Sequence, residues 1–388
     1  MTTVRRLLLY FLIASVVLFE GAVLLSVSTP QGRAGVKAVL FIPQVLADMP
    51  LKPLELLTRK PTREMIEFPL AEGMGSADLY LPHGSGRHSA VLFYLGVVPP
   101  DRDESRVVAL GEALARSGVV VMIPWLQTQV QNKIVPEDID GLVRGFQRLR
   151  ELDRVDPDRV GMGGISTGAS MATVAAQDER IRSQVRFVNF FAGYYDASDL
   201  VRAIGSRSRF YGDRVARWDP DELTVRLLTE HLIDGVADPD DKAALIRMLI
   251  DKAPNTDGGP VRLTEEGFAV YRLIQGEAFE DVDELMEQLS PETKEFLDLI
   301  SPATHIDRLE ARMLMMHDRA DRLVPSEESR RLAESLGNES DTYYTEFSLF
   351  QSAIQVHTDG GGDLGPLDYV SEAFKLFRHM YVVMREVS

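Results

Sequence analysis

The spacing of hydrophobic positions changes along the chain and divides it into alternating strands and helices. Continuous apolar runs are typical of strands buried on both faces of a sheet, whereas apolar residues at helical spacing indicate helices that pack on it. Between residues 62 and 196, the predicted strands lie at 64–82 (two strands joined by a glycine-containing turn), 89–96, 119–126, 159–166 and 185–195, with helices at 103–118, 136–152 and 168–177. This order favours an α/β fold with a mostly parallel sheet and helices on both faces.

The alternation stops after residue 196. Residues 197–300 contain amphipathic helical patterns and no convincing strand, so we expect a helical insertion that forms a cap. The second part of the core, residues 301–388, then resumes the alternation, with a strand at 312–321, a helix at 326–337, a strand at 341–350 and a last helix from about Leu367.

The first 30 residues have the pattern of a membrane anchor. An apolar run of 21 residues, 7–27, follows Arg5 and Arg6. At about 1.5 Å per residue it would cross a hydrocarbon core of ~30 Å. The arginines favour a single-pass protein whose body lies on the non-cytoplasmic side. A cleaved signal peptide is the alternative, since residues 26–28 have a small-x-small pattern, and it would leave the protein secreted. A buried helix is the third possibility.

Residues 31–61 connect this segment to the predicted core. They are apolar, but Pro43, Pro50 and Pro53 interrupt them, and they are too short to span a bilayer. We expect a membrane-proximal linker or a strip of chain packed on the domain.

Composition narrows the class of protein. With 388 residues, 45% hydrophobic and 26% charged, the chain is typical of a globular protein. The absence of cysteine excludes disulfides, thiol nucleophiles and cysteine metal sites. The formal net charge of −17 argues against nucleic acid as a partner. Residues 197–300 carry 23 acidic and 12 basic residues, which favours an acidic solvated surface over a site for cationic partners. No cluster has metal-ligand spacing, so we expect neither a metal nor a cofactor.

The stretch "GGISTGAS" places a serine between two glycines at the end of a predicted strand. Gly164-Ile165-Ser166-Thr167-Gly168 fits G-x-S-x-G, a pattern that is weak by itself. Here a predicted helix follows at once, and a sharp strand–helix turn would hold the serine hydroxyl out of the sheet. The start of that helix would offer N–H groups to a developing oxyanion. An idle serine in a glycine-rich turn is the alternative.

With this motif in this context, the chain resembles the α/β-hydrolase family, above all its bacterial esterases and dienelactone-hydrolase-like members. The resemblance covers about residues 62–196 and 300–388, with residues 197–300 in the place of a cap. It implies a serine nucleophile, an acid and a histidine in that chain order.

The resemblance also implies which carboxylate is the acid. In "MLMMHDRADRLVP", Asp321 stands just before Val-Pro, as the family's acid does, while Asp318 stands where relatives usually carry glycine. We favour Asp321 over Asp318. Asp196, at the end of a predicted strand, is a third candidate, because a few relatives use that strand end.

Among the seven histidines, the resemblance favours His357. The family places its base in the loop after the last strand, and His357 lies in that loop, although several residues further along than is common. Two others have structural interpretations: His317 ends a strand, and His379 lies on a helix face.

The oxyanion should be bound by two backbone N–H groups. One is expected from Thr167, the residue after the nucleophile, and the other from Val97 or Gly96 after the strand "AVLFYLG". Trp125, Tyr194 and Tyr195 lie near the carboxyl ends of strands, where such folds bind ligands, and we predict them in the substrate pocket. Core packing is the alternative for each.

These predictions favour a serine hydrolase that acts on a small-molecule acyl substrate, an ester before others. A peptidase or acyltransferase with the same triad is the second possibility, because the pocket chooses the leaving group and the acceptor. A catalytically silent scaffold of the same fold is the third. The sequence leaves the substrate and the oligomeric state open.

Overall fold

A computed structural model describes residues 28–45, 51–96, 101–252, 262–337, 341–348 and 366–387 of the chain. Its centre is an eight-stranded sheet in the order β1-β2-β4-β3-β5-β6-β9-β10. The strands of this sheet are β1 (Thr62–Pro69), β2 (Met74–Leu81), β3 (His88–Tyr94), β4 (Val120–Trp125), β5 (Val155–Ile165), β6 (Phe187–Phe191), β9 (Arg312–Asp318) and β10 (Thr342–Phe347). β1 and β2 pair antiparallel with each other, and β2 pairs antiparallel with β4. The other neighbours are parallel, which confirms the predicted class of sheet.

Helices cover both faces of this sheet. The described helices outside residues 197–300 are α1 (Pro30–Val45), α2 (Pro53–Leu57), α3 (Ser105–Arg116), α4 (Gln127–Val130), α5 (Glu137–Arg150), α6 (Thr167–Ala176), α13 (Ser326–Ser335) and α14 (Pro366–Glu386). Buried residues of α5, α6 and α13 form one core cluster with one face of the strands, and those of α1, α3 and α14 form a second cluster with the other face. β5 lies between β3 and β6, so its carboxyl end is near the middle of the sheet edge.

Residues 197–300 have their own apolar core, built around Leu232, Leu245 and Leu273. The described helices are α7 (Ala197–Ser206), α8 (Glu222–Gly235), α9 (Pro239–Leu245), α10 (Glu265–Gln275), α11 (Phe279–Glu287) and α12 (Pro291–Leu299). The expectation that this segment lacks strands is wrong, since β7 (Ser208–Tyr211) and β8 (Arg214–Arg217) form a hairpin. Four-residue strands around a turn at Gly212 are too short to give a clear alternating pattern.

Residues 30–45 form a 16-residue helix where irregular chain was expected. Ala34, Ala38 and Phe41 of α1 are buried in the core cluster shared with α3 and α14, so this part of the chain packs on the domain. Of the prolines that suggested breaks, Pro43 lies inside α1, and Pro53 begins α2, a position that suits it because its missing N–H has no helical partner there.

The predicted anchor, residues 7–27, lies outside the described residues. Among the helices that are described, none combines the length and apolar character needed to cross a bilayer.

Candidate active site

Ser166 occupies the turn between β5 and α6 with backbone angles of φ 55° and ψ −135°. Residues other than glycine rarely adopt a positive φ, and such backbone strain persists only where the surrounding structure imposes it. The backbone N–H of Ser166 donates to Phe191 O at 2.8 Å, and Ala169 N donates back to Ser166 O at 2.9 Å. The turn therefore joins the end of β6 to the start of α6 and turns the chain sharply at the serine.

The two glycines of the motif are required by close backbone packing. A Cβ added to Gly164 would lie 2.5 Å from the backbone carbon of Gly168. One added to Gly168 would lie 2.4 Å from Tyr94 O and 2.5 Å from Gly96 N. These separations are shorter than side chains tolerate, so only glycine lets β3, β5 and α6 meet at this turn.

The loop after β3 lies against the same turn. Gly96 has φ 89°, and a Cβ placed on it would be 2.9 Å from Thr167 Oγ1. Gln129 of α4 is fully buried and donates from Nε2 to Gly96 O at 2.8 Å, which fixes the peptide plane after the glycine. Thr167 begins α6 directly after the serine. Gly96 and Thr167, two of the predicted oxyanion residues, thus lie against each other at this turn, while Val97 lies outside the described residues.

Asp321 lies in the turn between β9 and α13, where contacts to both its carboxylate and its carbonyl hold it. Its side chain is buried, and Oδ1 accepts N–H groups of Leu323 at 2.7 Å and Val324 at 3.1 Å. Its Oδ2 lies 3.5 Å from His317 Nε2. Trp218, which follows β8, donates from Nε1 to the Asp321 carbonyl at 2.9 Å.

The competing carboxylates have other contacts. Asp318, also buried, accepts the N–H of Ala320 at 2.9 Å within the same turn. Asp196 caps the start of α7 by accepting the N–H of Ser198 at 2.8 Å.

Three of the described histidines are held by hydrogen bonds or by burial. His317 Nε2 donates to Val324 O at 3.0 Å, and its Nδ1 lies 2.7 Å from Ser329 Oγ. His231 Nδ1 donates to Leu227 O at 2.7 Å, and its Nε2 accepts the N–H of Ile134 at 3.0 Å. Burial lowers the pKa of His379 to about 3, which keeps it neutral. The predicted base, His357, lies outside the described residues.

One continuous cavity of about 860 Å³ reaches Ser166 and Thr167. Leu323 and Val324, next to the predicted acid, line it as well, so the nucleophile and the acid turn face the same space. Tyr194 also lines it, and its hydroxyl donates to Ile300 O at 3.2 Å. Trp125 and Tyr195 are not among the described lining residues. Trp125 instead donates from Nε1 to the buried carboxylate of Asp78 at 2.9 Å.

Three polar residues that the sequence did not indicate form hydrogen bonds to backbone groups around the site. Gln129 holds Gly96, as described above. Ser170 of α6 donates to Tyr194 O at 2.7 Å and accepts the Tyr194 N–H at 2.9 Å. Glu328 accepts the N–H groups of Tyr195 and Asp196, and burial raises its pKa to about 7 against the opposing effect of Arg331. None belongs to a recognisable motif, because each acts on backbone distant in sequence.

Asp138 adds a buried carboxyl beside the oxyanion loop. Its side chain accepts hydrogen bonds from Thr128 at 2.6 Å and from the Tyr94 hydroxyl at 3.3 Å. Burial raises the pKa of Asp138 to about 6, more than these hydrogen bonds lower it. Among the residues that the structure describes, no group of three or more His, Asp or Glu side chains could hold a metal ion.

Comparison with known proteins gives a partial family match and distant structural likeness. Residues 150–336 match the BD-FAE family model. No curated protein matches the sequence significantly. The chain is similar to an acylaminoacyl peptidase of Pyrococcus horikoshii, at 12% identity over 87% of this chain and 43% of that chain, with a TM-score of 0.47. It is also similar to an esterase of Pyrobaculum calidifontis, at 13% identity over 94% of each chain, with a TM-score of 0.46.

The chain thus spans less than half the length of the peptidase that it resembles. At this level of similarity, neither protein indicates a substrate for this chain.

Proposed function

We propose that this chain is a serine hydrolase of the α/β-hydrolase type that cleaves an ester or a related acyl bond. One observation carries the proposal. Ser166 is held at a positive φ between a central strand and a helix, at the wall of a large cavity. That turn is the arrangement by which this fold exposes a nucleophile.

In the proposed reaction, Ser166 Oγ attacks the acyl carbon while His357 takes its proton. The tetrahedral intermediate collapses to an acyl-enzyme, and His357 gives that proton to the leaving alcohol. Water then attacks the acyl-enzyme with His357 as base, which releases the acid and restores the serine. Asp321 orients the imidazole and stabilises its charged form.

The oxyanion is bound in this proposal by the N–H of Thr167 and by an N–H of the loop at Gly96 and Val97. Gln129 supports that loop through Gly96 O, so the donors are fixed before substrate arrives. Such preorganisation is effective because no reorganisation is needed when charge develops, and one donor contributes about 3–4 kcal/mol to transition-state stabilisation.

Residues 197–300 act as a cap in this proposal. Leu200, Leu227 and Ile300 contribute to the cavity that reaches Ser166, so the segment forms one wall of the site. Replacing the segment by a short linker should leave the sheet folded and change the range of substrates, as measured by circular dichroism and an ester panel. A chain that no longer folds would place the segment in the core instead.

Labelling by a fluorophosphonate probe tests the reaction class. Reaction of the full chain, with the label mapped to Ser166 and lost in Ser166→Ala, is the expected result. A folded chain that does not label would favour the silent scaffold. A panel of esters and amides, with an acceptor alcohol added, then separates an esterase from a peptidase or an acyltransferase.

We further propose that residues 7–27 anchor the protein in a membrane with the catalytic body on the non-cytoplasmic side. The support is the length of the apolar run behind Arg5 and Arg6. The full chain should stay with membranes through an alkaline wash. A mature amino terminus at Thr29 would favour the secreted form instead.

A further inference from the structure

The cavity at Ser166 has two parts, which lie on different sides of the serine. One part lies against the segment 197–300. The other, which we call the sheet-side arm, lies between the sheet and the helices α1, α3 and α14. On the sheet it is lined by Val91, Phe93, Phe187, Phe191 and Met316, and on the helices by Phe41, Leu110, Leu114, Met380 and Val383. Both walls of the sheet-side arm are therefore hydrocarbon.

The sheet-side arm extends along the strands of the sheet. Its lining includes both Phe187 and Phe191, the first and last residues of β6. At about 3.3 Å per residue, the four steps between them cover about 13 Å along the strand. Protein interiors contain few voids larger than a water molecule, so a cavity of about 860 Å³, of which this arm is one part, indicates a binding space.

Polar groups occur at few places in the sheet-side arm. Asn189 of β6 is the polar side chain on the sheet wall, and its Oδ1 is buried without a hydrogen-bond partner among the described residues. Gln44 of α1 also lines the arm and is buried. The other polar lining residues are Lys52, Glu104, Ser105 and Arg106, of which the Arg106 side chain is 64% exposed. Since the charged side chains of the lining are partly exposed, a charged or strongly hydrated group buried among the apolar lining residues would lose its water without compensation.

From these walls we propose that the substrate is an ester carrying a long, unbranched hydrocarbon chain, and that this chain lies in the sheet-side arm. The proposal rests on the proposed function for its ester bond at Ser166. Transfer of each methylene group from water to such an arm is favourable, so affinity should grow with chain length until the arm is filled. The same arm suits the chain of a fatty-acyl group or of a fatty alcohol.

Hydrolysis of an ester series by the full chain gives the first test. The value of kcat/KM should rise from p-nitrophenyl acetate through butyrate to octanoate. Val383→Phe places a ring in the sheet-side arm and should lower kcat/KM for octanoate at least about tenfold, because it displaces methylene groups that each contribute measurably. The ratio of kcat/KM for octanoate to kcat/KM for acetate should therefore fall. Equal rates for acetate and octanoate would overturn the proposal.

Val370→Phe is the matched control, since Val370 lies on the same helix and is 68% exposed. It should keep the wild-type chain-length profile. If Val383→Phe also keeps that profile, with an unchanged melting temperature, the chain does not occupy the arm. Hexyl acetate compared with ethyl hexanoate tells whether the chain lies on the alcohol or the acyl side of the bond.

Binding separates failure of this proposal from failure of the proposed function. The Ser166→Ala protein should bind a fluorescent dansyl fatty acid, and Ser166→Ala with Val383→Phe should bind it at least about tenfold more weakly. Binding with this pattern but without ester hydrolysis would keep the hydrocarbon site and reject the hydrolase. Ester hydrolysis without such binding, and without a chain-length preference, would reject the site and keep the hydrolase.

Discussion

The turns after β5 and after β9 each present a predicted catalytic side chain, but they are fixed in different ways. The turn at Ser166 is determined by backbone crowding, because Gly164 and Gly168 leave no room for a Cβ. The turn at Asp321 is held by hydrogen bonds, one from Leu323 within the same turn and one from Trp218 in a distant part of the chain. The first is therefore marked in the sequence by its glycines, while the second also depends on a contact from a residue far away in the chain.

The largest expected effect concerns the second turn. Asp321→Asn should lower kcat on an ester by about 10³ to 10⁴, because the amide favours the wrong histidine tautomer. The Asn side chain retains an oxygen for the N–H groups of Leu323 and Val324, so the melting temperature should change little. Asp318→Asn is the matched control, three residues away in the same turn, and should cost far less activity. The reverse order of effects would make Asp318 the acid.

The first turn should instead respond to steric change. Gly168→Ala places a Cβ 2.4 Å from Tyr94 O, so it should lower the free energy of unfolding by about 3 kcal/mol and remove most activity. Gly35→Ala in α1 is the control, since its Cβ would meet only Tyr381 Cδ2 at 3.9 Å and alanine favours a helix. Urea unfolding measures both. A Gly168→Ala protein of normal stability would show that crowding does not fix this turn.

This difference explains how far the sequence could predict the site. The alternation of strands and helices outside residues 197–300 and the strand–helix turn at Ser166 follow from local patterns, apolar runs and a G-x-S-x-G motif, and both are found in the structure. The contacts that hold the acid turn could not be predicted, because Trp218 and Asp321 are far apart in sequence. Helix α1 was missed for a similar reason, since its apolar face is defined by packing against α3 and α14 rather than by its prolines.

The pocket was also only partly predictable. The predicted pocket residues lie at the end of a sheet strand (Trp125) or shortly after one (Tyr194 and Tyr195). The position of a residue at a strand end does not determine which way its side chain points. Tyr194 lines the cavity, whereas Trp125 turns toward Asp78. A buried carboxylate that already pairs with Arg63 and Arg102 is a strong partner for an indole N–H, and that partner lies 47 residues away.

Asp138 of α5, which accepts a hydrogen bond from Tyr94 at the end of β3, allows a test by pH. The folded protein raises the pKa of Asp138 from 3.8 to about 6, so it binds a proton that the unfolded chain has released. The stability from this residue is therefore complete below about pH 4 and is lost as pH rises to 6. After a discount for partial solvent screening, this loss should be about 2 kcal/mol.

Asp138→Asn should remove that loss, because asparagine does not titrate and can still accept from Thr128 and Tyr94. Unfolding free energies of the two proteins, measured between pH 4 and 7, should diverge as pH rises. Glu151→Gln, at the other end of the same helix and with a side chain that is 69% exposed, should follow the wild type. Parallel curves for wild type and Asp138→Asn would contradict the raised pKa.

The smallest expected effect tests whether the segment 197–300 positions the acid turn. Trp218→Phe keeps the ring but removes the N–H that donates to Asp321 O, a hydrogen bond that contributes about 1 kcal/mol. We expect kcat to fall about fivefold to tenfold with little change in KM, since the lost contact orients the acid turn and does not touch substrate. Trp125→Phe is the matched control, because it removes the corresponding N–H to Asp78 at 2.9 Å, away from the acid turn. It should lower the melting temperature and leave kcat near its normal value. If both substitutions reduce kcat equally, the effect is one of general stability, and the acid turn does not depend on Trp218.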